Sequence, residues 1–191
     1  MSRPLLEVSG LTMRFGGLLA VDGVELSVQP GQIVSMIGPN GAGKTTVFNC
    51  LTGFYKPSGG KIVFDGREIQ GLPGFKVARR GMIRTFQHVR LFKEMTVVEN
   101  LLVAQHQHMN TSMLAGLFKT PAYRRSEREA MERAAYWLER VDLHQFANRT
   151  ANTLAYGQQR RLEIARCMVT QPKLLMLDEP AAGLNPRETD D

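Results

Sequence analysis

Gly38-Pro39-Asn40-Gly41-Ala42-Gly43-Lys44-Thr45-Thr46 is the stretch that decides the fold. It matches G-x-x-x-x-G-K-[ST], a loop whose glycines let the backbone wrap closely around phosphate. Successive N–H groups, and the N-terminus of a following helix, attract the charge of the anion. Lys44 is placed to reach the outer phosphates, and the Thr45 hydroxyl to ligate Mg²⁺. Such a loop needs a strand before it and a helix after it. Ile33-Val34-Ser35-Met36-Ile37, opened by the Pro30-Gly31 turn, predicts the strand, and Val47-Phe48-Asn49-Cys50-Leu51 continues as the helix.

A second nucleotide-type motif lies near the other end of the chain. Leu174-Leu175-Met176-Leu177-Asp178-Glu179 reads as a buried parallel strand ending in two carboxylates, at the edge where α/β sheets bind ligands. Asp178 is expected to hold the Mg²⁺ shell, and Glu179 to orient or deprotonate an attacking water. A strand ending in Asp-Glu is a weak signal alone; the phosphate loop upstream makes the pair strong. A third block runs from Thr153 through Gly157-Gln158-Gln159 to Arg166. Gly157 permits close approach to a phosphate at a helix N-terminus, yet the same residues also suit an ordinary helix start. Physics of the sequence leaves both open.

The 191 residues suffice for a sizeable core, and 43% hydrophobic with 22% charged residues is ordinary globular composition. No apolar run reaches the ~18 residues that a membrane span needs, and the polar start is not a secretory signal. Cys50 and Cys167 sit far apart in apolar helical contexts and are expected to be reduced, buried and inert. The net charge of +6 is dispersed over three basic clusters, two of them interleaved with acids, without zinc-ligand spacing or a helix-turn-helix signature. No nucleic-acid partner is expected.

The flanking sequence organises around these motifs. Leu5–Val8, Leu11–Phe15 and Val24–Val28 predict short antiparallel strands, with turns at Gly16-Gly17 and Gly23. Residues 60–66 predict a strand closing on an Asp65-Gly66 hairpin, 74–80 a short basic helix, and Met82–Phe86 a strand. Val97, Asn100, Leu101 and Ala104 fall at helical spacing, followed by a looser piece over 106–122. Ala130, Ala134, Trp137, Leu138 and Val141 line one side of an amphipathic helix, with Trp137 as a core anchor. Helix is again expected over 158–169. The pattern is an α/β core interrupted by a helical insertion.

Taken together, the motifs resemble the nucleotide-binding subunit of an ATP-binding cassette transporter. Leu154-Ala155-Tyr156-Gly157-Gln158 resembles the family's LSGGQ-type signature, which faces the γ-phosphate held by the other subunit of a head-to-tail dimer. Gln87 resembles the Q-loop glutamine, which senses Mg²⁺ and water and couples to the membrane partner. Phe15 resembles the aromatic that stacks on adenine, and Ala182-Gly183-Leu184-Asn185 the D-loop. The resemblance thus implies catalytic roles for Glu179, Lys44 and Gln87 and metal contacts from Thr45, Gln87 and Asp178. It implies nucleotide contacts from Phe15, Gly38, Pro39, Asn40, Gly41, Ala42, Gly43, Lys44, Thr45, Thr46, Ala155, Tyr156, Gly157 and Gln158, with ATP and Mg²⁺ as cofactors. The fold it implies is an α/β P-loop NTPase core with an N-terminal antiparallel β subdomain and a helical subdomain. One incomplete domain is expected, with residues 1–87 and 158–191 forming the β subdomain and nucleotide-binding core, and 88–157 the helical subdomain.

The wording of Arg84–Phe92 and of the signature block is similar to the LivG-like branched-chain amino acid importer ATPases. This implies permease subunits, a second ATPase in a heterodimer, a periplasmic amino-acid-binding protein, and a place on the cytoplasmic face of a bacterial inner membrane. Related lipopolysaccharide-export ATPases share much of the same wording, and an ATPase of this superfamily without a membrane partner is the alternative of another class. The chain departs from the family pattern at Ala155 for serine, Tyr156 for glycine and Asn185 for aspartate. The family's switch histidine lies past the D-loop. None of His88, His106, His108 or His144 can replace it, so the chain is expected to be a C-terminally truncated form that turns ATP over slowly.

Overall fold

A change of parity organises the first strand. Leu6 and Val8 are buried at even positions, then Leu11 and Met13 at odd ones. A strand alternates faces with period two, so one extra residue must be absorbed between them. Gly10 absorbs it, at φ 61, where the register of the strand pair shifts. The structure, a computed structural model, describes residues 3–85, 89–105 and 121–179. Its contacts separate into two compact units, residues 1–83 and 84–191.

In the first unit β1 (Leu6–Phe15) and β2 (Leu18–Val28) form one long hairpin across Gly16-Gly17. The two pieces expected within β1 are therefore a single bulged strand. Gly23, expected at a turn, instead lies inside β2 at φ 58, where its N–H donates to Thr12 Oγ1 at 3.2 Å. β3 (Gly59–Phe64) pairs with the other edge of β1, and β4 (Arg67–Glu68) closes the antiparallel order β2-β1-β3-β4. The Asp65-Gly66 turn joins β3 to β4 with both residues at positive φ, as a two-residue hairpin of this handedness requires. One sheet face buries Leu6, Val8, Leu11, Ile62 and Phe64, each such side chain contributing about 1.5–3 kcal/mol.

α1 (Lys44–Leu51) starts where Gly43 takes the left-handed conformation at φ 84, and it buries Val47, Cys50 and Leu51 at helical spacing. The basic helix expected near residue 74 is α2 (Gly74–Arg79). The strand expected over Ile33–Ile37 is not formed. Residues 32–39 join no ladder among the described residues, and Ile33 and Ile37 are 94% and 93% exposed. β-Propensity reflects packing and pairing more than backbone preference, and an apolar run without a ladder partner stays irregular.

β5 (Met82–Arg84) leads into the second unit, whose core is helical. α3 (Val97–Ala104) begins with a reciprocal cap: Glu99 N–H donates to Thr96 Oγ1 at 3.3 Å, and Thr96 N–H to Glu99 Oε2 at 2.7 Å. The Thr96 N–H, together with the Thr96 hydroxyl donating to Glu99 Oε2 at 2.8 Å, holds the Glu99 carboxyl below its ordinary pKa. α4 (Pro121–Arg140) and α5 (Tyr156–Met168) complete the bundle around Val97, Leu101, Ala134, Leu138, Leu162 and Ala165. Trp137 packs against this core as expected. Buried Gln105 links α3 to α4, donating to Ala130 O at 2.9 Å and accepting from Arg133 Nε at 2.8 Å. β6 (Leu174–Met176) then carries the chain to Asp178. Both cysteines are buried and unbridged, and burial pushes the Cys167 thiol up to about 11, which keeps it an unreactive thiol at neutral pH.

Candidate active site

The loop at 38–46 is built mostly from its own backbone. Gly41 and Gly43 both sit at φ 84, a region that residues with a Cβ rarely enter. Gly43 is also sterically fixed, since a Cβ there would lie 2.6 Å from the Ala20 carbonyl oxygen of β2. The loop therefore rests on the long hairpin, and α1 starts at its last turn with the N–H groups of its first residues directed into the loop. Lys44 folds back over this concavity, its ammonium donating to Gly38 O at 2.6 Å and Pro39 O at 2.9 Å. A cation held by weak carbonyl acceptors beside exposed Thr45 can exchange them for phosphate oxygens. No acidic residue of the first turn opposes an anion there.

Phe15 ends β1 with 41% of its surface exposed, and its ring meets Tyr55 edge-on at 5.3 Å and 81°. Tyr55 escaped the sequence reading. It is held in place by its N–H, which shares the Asn49 carbonyl with that of Phe54 beyond the end of α1.

Asp178 is set into the second unit far more firmly, while Glu179 beside it is exposed. Arg84 Nη2 pairs with Asp178 Oδ2 at 2.6 Å, with side-chain exposures of 5% and 12%. Thr85 N–H donates to Met176 O at 3.0 Å, and Asp178 N–H donates to Thr85 Oγ1 at 3.2 Å. Glu179 has φ 48, the left-handed region, although it carries a side chain and precedes Pro180. Arg160 of α5 donates to the carbonyls of both Asp178 and Glu179 at 3.0 Å. The block 155–158 thereby lies within about one helical turn of Arg160, the residue bonded to the carboxylates' backbone, a link no sequence spacing announces.

At the start of α5 the expected loss of a hydroxyl is visible. Ala155 stands at the N-cap without a side-chain bond, and Gln158 Oε1 accepts the Ala155 N–H at 3.0 Å, half of a reciprocal cap. Tyr156 is exposed and Gly157 buried. Gln87 and the segment Ala182-Gly183-Leu184-Asn185 lie outside the described residues, as do His88, His106 and His108; His144 is exposed in a single 3-10 turn. Downstream of Gln87 the chain is anchored by buried Asn100, which accepts from Phe92 N–H at 2.9 Å and donates to Phe92 O and Thr96 O at 3.0 Å. Among the described residues no helix is long and apolar enough to cross a membrane.

Comparison with known proteins gives a consistent result. The family pattern described as ABC transporter matches residues 21–182. The chain is 80% identical over 191 residues to the high-affinity branched-chain amino acid transport ATP-binding protein BraF of Pseudomonas aeruginosa, covering all of this chain and 75% of that protein. It is 69% identical over 189 residues to the Escherichia coli K12 protein of the corresponding description, LivG, covering 99% of this chain and 74% of that one. Among solved structures it is similar to the ADP conformation of MJ1267, an ATP-binding cassette of an ABC transporter. That match has a TM-score of 0.82 and 36% identity, over 99% of this chain and 74% of the other.

Proposed function

The chain belongs to the ABC transporter ATP-binding family, and from that membership we propose that it hydrolyses ATP to power uptake of branched-chain amino acids, as the peripheral ATPase of an importer. The observation that carries the reading is the phosphate loop at 38–46, cradled by β2 and capped by Lys44, in a chain 80% identical to a protein described by that transport. Its partners in this reading are permease subunits, a second ATPase of the same family in a head-to-tail heterodimer, and a periplasmic amino-acid-binding protein. Its place is the cytoplasmic face of a bacterial inner membrane.

ATP enters with its phosphates against the backbone N–H groups of Gly41–Thr46 and the N-terminus of α1. Lys44 leaves the Gly38 and Pro39 carbonyls for the β- and γ-phosphates, while Phe15 stacks on the adenine face. Thr45, Gln87 and Asp178 would supply oxygen donors to Mg²⁺, with Arg84 holding the Asp178 carboxylate through Oδ2. Bound with the nucleotide, Mg²⁺ would supply charge neutralisation for the phosphates. Glu179 takes a proton from water as its oxygen bonds to the γ-phosphorus, the bond to the β–γ bridging oxygen breaks, and ADP leaves with phosphate as the second product. Ala155, Tyr156, Gly157 and Gln158 meet the γ-phosphate on the partner ATPase, where the missing serine hydroxyl shifts the contact toward backbone N–H groups.

Uptake of labelled leucine tests this reading, in cells deprived of their own importer ATPase and supplied with the intact protein. The wild type restores uptake and Glu179→Gln does not. Restoration by both, or by neither when each is present at the membrane, contradicts it.

A further inference from the structure

One buried cation ties three segments of the second unit together. Arg160 and Glu163, side chains 2% and 1% exposed, pair at 2.6 Å across one turn of α5. Arg160 Nη2 also donates to the carbonyls of Asp178 and Glu179, both at 3.0 Å. Glu163 Oε1 in turn accepts the Arg90 N–H at 3.3 Å, three residues beyond Gln87. A buried ion pair is weak evidence for stability, because apolar side chains of equal volume fill a core as well or better. The Nη2 donors of this one are spent outside the pair. They hold the backbone at the two carboxylates, one of which, Glu179, sits at φ 48 before a proline, a position where the chain prefers extended conformations.

We propose that Arg160 is a positioning residue for ATP hydrolysis. It fixes the backbone of Asp178 and Glu179 and binds it, through one rigid helical turn, to the signature segment 154–158 at the start of α5. Displacement of that segment on contact with a partner then reaches the Glu179 carboxylate, and Glu163 carries the same restraint to the chain after Gln87. Nucleotide affinity is set chiefly by the loop at 38–46, so this linkage acts mainly on turnover. The inference rests on the ATPase reading above.

The test is the kcat-against-KM split for ATP hydrolysis by the intact protein, with Lys44→Ala as background. Arg160→Met alone strands a buried Glu163 charge, so the informative variant is the double Arg160→Met/Glu163→Met, which removes both charges at similar volume. Expected are a melting temperature and a KM close to wild type, with kcat lowered about 10- to 100-fold, the scale of a misplaced catalytic group. Arg160→Lys serves as a second variant that keeps Glu163 paired. A point ammonium lacks the planar fork that reaches two carbonyls and a carboxylate together, so its kcat is expected between those of the double variant and wild type at unchanged KM. Wild-type kcat in either variant overturns the proposal while leaving the ATPase reading intact. Wild-type protein no faster than the Lys44→Ala background overturns that reading, and the proposal with it.

Discussion

The phosphate loop and the carboxylate strand end are built on opposite plans. The loop at 38–46 is open, formed from backbone, and covered by a lysine bonded, among the described residues, to two carbonyls of the loop itself. The strand end at Asp178 is buried in the second unit, held by Arg84, Thr85 and Arg160, with exposed Glu179 the next residue. A site made of backbone dipoles on an exposed turn can reorganise around a ligand with little cost to the fold. A carboxylate held by a buried cation cannot be altered without disturbing what surrounds it. Binding and stability are therefore separable in the first region and superposed in the second.

Substitutions can break or sharpen this contrast. The largest effect is expected for Arg84→Ala, which leaves Asp178 buried without its cation. Breaking such a pair costs about 3–5 kcal/mol, read as a lowered denaturant midpoint. Lys44→Ala is expected to leave that midpoint within about 0.5 kcal/mol of wild type, as surface changes do. Its ATP affinity, measured by equilibrium binding, should fall by about 100-fold or more, the worth of a charge-assisted contact to phosphate. If the two variants lost stability equally, the contrast would be false. Gly43→Ala falls between them, because φ 84 and the 2.6 Å approach to Ala20 O force the loop to move. Strain of about 1–3 kcal/mol is expected, with nucleotide binding weakened in parallel. The smallest effect is expected at Phe15→Ala, a loss of about 1–2 kcal/mol of binding to ATP and GTP alike, since stacking ignores the base's hydrogen-bonding edge. A loss confined to ATP would show that a polar group reads the base.

The same contrast explains what the sequence discloses. Phosphate loop, α1, the Asp65-Gly66 hairpin and the amphipathic face of α4 all follow from local pattern, and each is found where the residues place it. The bulge at Gly10 is also local, written in the shift from Leu6 and Val8 to Leu11 and Met13, although the spacing reads at first as two strands. Arg84 and Asp178 are different: 94 positions separate them, and nothing in either neighbourhood names the other. Arg160 and Glu163 stand at i and i+3, but that spacing is as common on solvated faces, and only packing reveals the pair as buried. Ile33–Ile37 fails for the converse reason. Its composition is that of a strand, yet strand formation depends on a neighbour that composition does not specify.

The central claim, that Glu179 works on bound ATP while the loop at 38–46 does the binding, is met most directly by Glu179→Gln in the intact protein. ATP affinity and steady-state phosphate release are measured on the same preparation. Affinity within about threefold of wild type with phosphate release lowered at least ~100-fold is the predicted result, the range of a lost general base. Phosphate release at the wild-type rate, or affinity lost together with turnover, would contradict it.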